Sequence, residues 1–183
     1  MTTADLLLRT VTTNVDRLGY TGIPVGYGGC STPGCRCTMS SERWAYTIGF
    51  HDQGRPELLV AGLTPGQVSV AFRTIDYLWQ SGENVCAGCT IDIGSHTLRL
   101  RAVPAEWLLH DTSRMALWLR HYAHDRTLPA VPQLLQVLWS DDNGRFPDEP
   151  GYDQTHLQPI LAVDPTAYPR RSPRTTRRNR RPR

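Results

Sequence analysis

Apolar positions recur at helical spacing in three segments of the chain. The first covers residues 4–18, with Asp5 placed to cap its start and Gly19 to end it. The second follows the capping-box pattern of residues 64–67, which has a proline at the first helical position. The third covers residues 112–123. The predicted apolar stripes are Leu7, Val11, Val15 and Leu18; Val68, Phe72, Ile75 and Trp79; and Met115, Leu119 and Tyr122.

Short apolar runs rich in β-forming residues lie between these helices. The predicted extended segments are residues 23–28, 44–50, 57–61, 90–103 (a hairpin turning at Gly94-Ser95) and 134–139. Helices and strands neither strictly alternate nor segregate along the chain. The pattern therefore predicts an α+β fold, with a mixed, largely antiparallel sheet and helices packed on one side.

The chain of 183 residues is long enough for one ordinary hydrophobic core. We expect a single α+β domain at residues 1–169 and a disordered tail at 170–183, because no apolar residue follows Tyr168. No apolar run approaches the roughly 18–20 residues that a membrane helix needs. The first residues also lack the basic and apolar regions of a secretory signal. These observations predict a cytoplasmic protein without a membrane partner.

The charges divide sharply between the predicted body and tail. All twenty basic residues are arginine, a bias that GC-rich coding also produces. Residues 1–169 hold twelve of them and all seventeen acidic residues, for a net charge of −5. The tail carries no acid and eight arginines, namely Arg170, Arg171, Arg174, Arg177, Arg178, Arg180, Arg181 and Arg183. Such a segment predicts binding to nucleic acid or a ribonucleoprotein; the alternative is a solvated tail without a partner.

Five cysteines occur in two groups. Cys30, Cys35 and Cys37 crowd into eight residues, and Cys86 and Cys89 form a Cys-x-x-Cys pair. An odd number of cysteines in a cytosolic chain argues against a disulfide framework. Structural zinc bound by Cys86, Cys89 and two of the other three is one interpretation, because zinc takes four such ligands. Five reduced thiols without metal are the other.

Three ordered blocks resemble a known family. They are Trp44-Ala-Tyr-Thr-Ile-Gly-Phe50, Pro56-Glu-Leu-Leu-Val-Ala-Gly-Leu63 and Leu135-Gln-Val-Leu-Trp-Ser-Asp-Asp-Asn-Gly-Arg-Phe-Pro147, with Gln158-Pro-Ile-Leu161 closing the pattern. Over about residues 5–161 the chain resembles the bacterial domain of unknown function 4262 family. The resemblance implies a small α+β domain and no established activity. The chain departs from the family pattern in its Cys-rich insertion, in Asp148 where an aromatic residue often stands, and in its arginine tail.

The polar residues of these blocks suggest a ligand pocket. We expect them to border a common cleft, whose candidate residues are Tyr46, Thr47, Glu57, Asp141, Asp142, Asn143 and Arg145. The alternative is structural: an Asx-type turn at 141–145, and a half-buried Tyr46 beside a locally paired Glu57. Adjacent carboxylates at a strand end point in opposite directions, so Asp141 and Asp142 do not form an obvious acid–base pair.

These observations lead to three interpretations of function. The first is an accessory binding module whose tail engages nucleic acid, with a protein partner left open. The second is an enzyme of unknown reaction with a pocket lined by Tyr46, Glu57, Asp142 and Arg145. The third is a zinc-stabilised protein-interaction domain. The binding module ranks first because the sequence contains no phosphate-binding loop, His-Glu-x-x-His motif or nucleophile signature.

Overall fold

The computed structural model describes residues 2–26, 43–104, 107, 115–125, 133–153 and 158–161. In chain order, its helices and strands are α1 (Thr3–Leu18), β1 (Thr21–Val25), β2 (Trp44–Ile48), β3 (Glu57–Ala61), α2 (Pro65–Gln80), β4 (Thr90–Asp92), β5 (Thr97–Val103), α3 (Ala116–Asp125) and β6 (Leu134–Trp139). A single 3₁₀ turn, His51–Gln53, lies between β2 and β3.

The strands form one sheet in the order β1-β2-β3-β6-β5-β4. Neighbours joined by short connections run antiparallel, as in β2–β3 and the β4–β5 hairpin. The chain passes through α2, the hairpin and α3 between β3 and β6, and this long crossover allows these two central strands to pair in parallel. The predicted α+β fold with a mixed, largely antiparallel sheet is confirmed.

The helices cover both faces of the sheet, whereas the sequence predicted helices on one side. On one face, α2 packs Phe72 and Ile75 against the sheet. On the other face, Val11 and Val15 of α1 and Trp118 of α3 form a second apolar cluster. The reason is visible in β3 and β6, whose residues are buried without alternation. A strand that is buried throughout needs a covering layer on each side.

The helix termini follow the expected capping rules with one change. Thr2 is the N-cap of α1, and Asp5 completes the capping box three residues later instead of serving as the cap. Gly19 ends α1 in the left-handed conformation, with φ at 83°. The predicted capping box of Thr64 and Gln67 is present at the start of α2. No helix among the described residues is both long and apolar enough to cross a membrane.

Candidate functional site

The connection between β2 and β3 is built around the buried carboxyl group of Glu57. Its Oε1 accepts hydrogen bonds from the backbone N–H of Gly49 at 2.9 Å and of His51 at 3.1 Å. The indole N–H of Trp118 donates to the same oxygen at 3.3 Å, and the Thr47 hydroxyl donates to Oε2 at 2.6 Å. Four donors from β2, the connection that follows it and α3 therefore converge on one side chain of β3.

The surroundings of Glu57 have opposing effects on its ionisation. Glu57 is fully buried, and this burial raises the pKa of its carboxyl group, while the four donors partly offset the rise. All four neighbours donate, which is the arrangement that suits an ionised carboxylate acting only as an acceptor. A group with no solvent exposure and a complete set of partners can join β2, β3 and α3, but it presents no reactive atom to a substrate.

Tyr46 lies on the same side of this assembly. Its side chain is 2% exposed, and burial raises the pKa of the phenol to about 12 against the effect of backbone N–H groups of Leu117 and Trp118. Those N–H groups belong to the first turn of α3, where no intrahelical partner exists for them. The Tyr46 oxygen therefore supports the start of the helix that also carries the indole bound to Glu57.

The polar turn after β6 is organised by Asp141. Its Oδ1 accepts from the backbone N–H of Asn143 at 2.9 Å and of Arg145 at 2.8 Å, and its Oδ2 accepts from that of Asp153 at 2.9 Å. Burial alone would raise the pKa of Asp141, but these N–H groups outweigh it and hold the pKa below its usual value. The Asx-type turn that the sequence offered as the structural alternative is present.

The other polar residues of this turn face outward. The Asp142 side chain is 97% exposed and lies 4.0 Å from His96 Nε2. Asn143 is also exposed, and Arg145 directs its guanidinium to the carbonyl oxygen of Gly151 at 2.8 Å. Each of these contacts stays within or beside the turn.

The predicted residues separate into two groups at opposite ends of the sheet. Glu57 is paired with Leu134 where β3 and β6 run in parallel, and Asp141 follows Leu134 by seven residues. At about 3.3 Å per residue, the two carboxyl groups are roughly 20 Å apart. The structure thus brings Tyr46, Thr47 and Glu57 together, and Asp141 and Arg145 together, but the single cleft that the sequence suggested is not formed.

Two features were missed from the sequence. Trp118 was not recognised as the link between Tyr46 and Glu57, although its spacing from Met115 and Tyr122 would have placed it on the buried side of α3. The second is an open, mainly apolar groove of about 790 Å³ between β1 and α2.

This groove lies where small residues of β1 face the helix. Gly22 and Pro24 form its floor with Ala45, and a Cβ atom at Gly22 would lie 3.3 Å from the Phe72 ring. Phe72 and the 69% exposed Tyr77 of α2 form the facing wall. An amphipathic helix opposite a strand with small residues was the available signal.

Asp76 of α2 lies at the polar rim of the groove and contacts two polar side chains. Asp76 lies 3.6 Å from the Arg55 guanidinium and accepts from the Gln80 amide at 2.9 Å. Concave, largely apolar surfaces with a few polar groups are the usual form of ligand sites. The groove is therefore a candidate ligand site among the described residues.

The predicted metal ligands are only partly within the described residues. Cys86 and Cys89 precede β4, with their sulfurs 3.3 Å apart. The described parts of the chain contain no group of three or more His, Cys, Asp or Glu side chains placed to hold a metal ion. Cys30, Cys35 and Cys37 lie outside the described residues, as do the eight tail arginines, so the zinc and tail assignments stay predictions.

Comparison with known proteins identifies one relationship. A family model described as "Domain of unknown function (DUF4262)" matches residues 28–153, which include the Glu57 assembly, the groove wall on α2 and the Asp141 turn. No curated protein and no solved structure matches the chain.

Proposed function

Because the chain belongs to the DUF4262 family, whose description assigns no activity, we propose a function from its own residues: an accessory binding module that engages nucleic acid through residues 170–183. The observation that carries the proposal is the separation of charge. A body of net charge −5 is followed by eight arginines in fourteen residues with no acid among them.

The chemistry of the tail suits phosphate groups. Arginine presents a planar fork of N–H donors that matches two phosphate oxygens, and it keeps its charge at all physiological pH values. The intervening residues are proline, serine, threonine and asparagine, and no aromatic side chain is available to stack on bases. We therefore expect affinity that depends on charge rather than on base sequence.

The folded domain supports binding over catalysis. Glu57 and Asp141, the carboxyl groups first considered for a pocket, are occupied by hydrogen bonds to their own surroundings. They also lie at different ends of the sheet, so the enzyme hypothesis loses its proposed constellation. The negative body should be repelled by the same polyanions, which leaves the domain and its groove free while the tail holds the nucleic acid.

The test is binding of the full-length protein to single-stranded RNA and to DNA across a salt series. If all eight arginines engage phosphates, the logarithm of affinity should fall with the logarithm of salt concentration with a slope of roughly −6 to −7, and partial engagement should give a shallower slope. A full-length variant with all eight tail arginines changed to glutamine should lose this salt-dependent binding.

A matched variant with eight lysines in place of the arginines keeps the charge and removes the planar fork of N–H donors. It therefore shows how much of the affinity depends on each. It should keep most of the salt dependence while binding more weakly, since lysine acts as a point charge. Comparison of RNA with DNA then identifies the preferred polymer. Equal binding by the wild type and the glutamine variant, or an affinity that does not change with salt, would reject the tail as the nucleic-acid arm.

A further inference from the structure

The backbone around Cys86 and Cys89 already has the geometry of a disulfide. Residues 86–89 form a reverse turn in which the Cys89 N–H donates to the Cys86 carbonyl oxygen at 3.1 Å. Gly88 adopts φ of 89°, the conformation that a type II turn requires at its third position. A reverse turn places its first and last Cα atoms within about 7 Å, and disulfides span about 4.4–6.8 Å between Cα atoms.

The two sulfurs face each other across this turn. Their separation is 3.3 Å, and the Cys86 N–H donates to Cys89 Sγ at 3.2 Å. A disulfide bond is about 2.05 Å long, so rotation of the two side chains by a small amount brings the sulfurs to bonding distance. Cys86 is exposed and Cys89 is partly exposed, which leaves at least one sulfur open to reagents.

The sheet holds this turn in place. The Gly88 N–H donates to the Leu100 carbonyl oxygen at 2.8 Å, and the Leu100 N–H donates to the Cys89 carbonyl oxygen at 2.9 Å. On the other side, the indole of Trp79 donates to the carbonyl oxygen of Val85 at 3.0 Å. Both ends of the Cys-x-x-Cys segment are therefore fixed, and the pair is organised before any reaction occurs.

Within the described part of the chain, each sulfur of the pair has the other as its immediate partner, at 3.3 Å. No third His, Cys, Asp or Glu side chain among the described residues joins them in a group that could hold a metal ion. The described geometry therefore favours a reaction between the two sulfurs.

We propose that Cys86 and Cys89 form a dithiol that reacts with low-molecular-weight disulfides and closes to an intramolecular disulfide. The exposed Cys86 thiolate attacks the small disulfide RSSR, forms a Cys86–S–S–R mixed disulfide and releases one thiol. Cys89 then attacks Cys86 Sγ and releases the second thiol. Both protein sulfurs are oxidised, RSSR is reduced to two RSH, and the two protons of the protein thiols pass to the released thiols.

The thiolate is the attacking form of a cysteine in both steps, so the reaction should accelerate as pH rises. The proposal does not rest on the nucleic-acid function, because its evidence comes from residues 79–100 alone.

The test uses the reduced full-length protein and oxidised glutathione, followed by alkylation and trypsin. The tryptic peptide of residues 74–99 contains Cys86 and Cys89 and no other cysteine. We expect this peptide to lose the mass of two hydrogens without accumulating a glutathione adduct. In the Cys89→Ser variant, the adduct on Cys86 should accumulate about tenfold or more above wild type, because the resolving thiol is absent.

A second variant with Cys30, Cys35 and Cys37 changed to serine should form the same internal disulfide. The proposal would be overturned by a stable glutathione adduct on wild-type Cys86, or by a disulfide joining residues 74–99 to the peptides of the other cysteines. Protection of both thiols from alkylation until a chelator is added would equally overturn it, because that result identifies a metal site.

Discussion

Two carboxyl groups in this fold perform the same structural task at different depths. Glu57 closes the β2–β3 connection and Asp141 closes the turn after β6, each by accepting backbone N–H groups. Glu57 has no exposed surface between the sheet and α3; Asp141 is 4% exposed, and the four residues after it are all exposed. The pKa of Glu57 is raised and that of Asp141 is lowered. At Glu57, deep in the fold, burial outweighs the four donors, whereas at Asp141 the backbone N–H groups and the nearby charge of Arg145 outweigh burial.

The largest expected effect is the loss of the buried acceptor. Glu57→Ala leaves the N–H groups of Gly49 and His51, the Trp118 indole and the Thr47 hydroxyl without their acceptor inside the fold. We expect the free energy of unfolding to fall by about 4 kcal/mol, since each buried unsatisfied donor is costly. Urea denaturation measures this change.

Two further variants complete that comparison. Asp141→Ala should cost clearly less than Glu57→Ala, because the exposed residues 142–145 let water reach the N–H groups that lose their acceptor. Glu83→Ala, at an exposed position, should be close to neutral. An equal loss for Glu57→Ala and Asp141→Ala would contradict the role assigned to depth.

Substitutions of two glycines, one beside Glu57 and one in the Asp141 turn, test the same comparison with a smaller expected loss of stability. Gly49 adopts φ of 116°, and a Cβ atom there would lie 2.5 Å from the Gly19 carbonyl oxygen. Gly144 adopts φ of 75° in the Asp141 turn, with no atom within 4 Å of the added Cβ. Gly49→Ala should therefore cost about 3 kcal/mol through strain and collision, and Gly144→Ala about 1–2 kcal/mol through strain alone. Thermal and urea unfolding of both variants test this order, and a larger loss at Gly144 would reverse the interpretation.

The smallest expected effect is a difference in the response to acid. Since burial raises the pKa of Glu57 above its ordinary 4.5, its contribution to stability is fully present below pH 4.5 and is lost as pH rises through the folded pKa. For Asp141, the N–H groups outweigh burial and lower the pKa below its ordinary 3.8. Its contribution is present above pH 3.8 and is lost as pH falls through the folded pKa.

The two opposite pH dependences can be distinguished by measuring the unfolding free energies of the wild type, Glu57→Gln and Asp141→Asn between about pH 3 and pH 8. Acidification should increase the stability of the wild type relative to Glu57→Gln and decrease it relative to Asp141→Asn. Shifts in the same direction for both pairs would show that the two carboxyl groups titrate alike.

The sequence was informative wherever a local pattern determined the structure. The capping box at Thr64 and the Gly94-Ser95 turn of the hairpin were predictable from short stretches of residues. The parallel pairing of β3 with β6 was not, because it brings together strands more than 70 residues apart. The pocket hypothesis failed for the same reason, since Glu57 and Asp141 share a family pattern but lie at opposite ends of paired strands.

The sequence already contained enough information to predict that both faces of the sheet are buried. The apolar runs of β3 and β6 lack the alternation of a half-exposed strand, and they indicated two covering layers. The groove was harder to foresee, because it depends on the distance between β1 and α2 and not on any residue type alone. The spacing of Trp118 could have placed it on the buried side of α3, but its hydrogen bond to Glu57 could not be predicted, because it joins residues 61 positions apart.

Two buried glutamines of the described fold attach residues 158–161 to the sheet. The Gln136 amide donates to the carbonyl oxygen of Pro159 at 2.6 Å and accepts from the Leu161 N–H at 2.7 Å. Gln158 exchanges hydrogen bonds of 2.8 and 2.7 Å with the backbone of Trp139. Gln136 and Trp139 both belong to β6, a central strand bonded on both sides. A force applied at residues 158–161 is therefore transmitted to a central strand of the sheet and not to an edge strand.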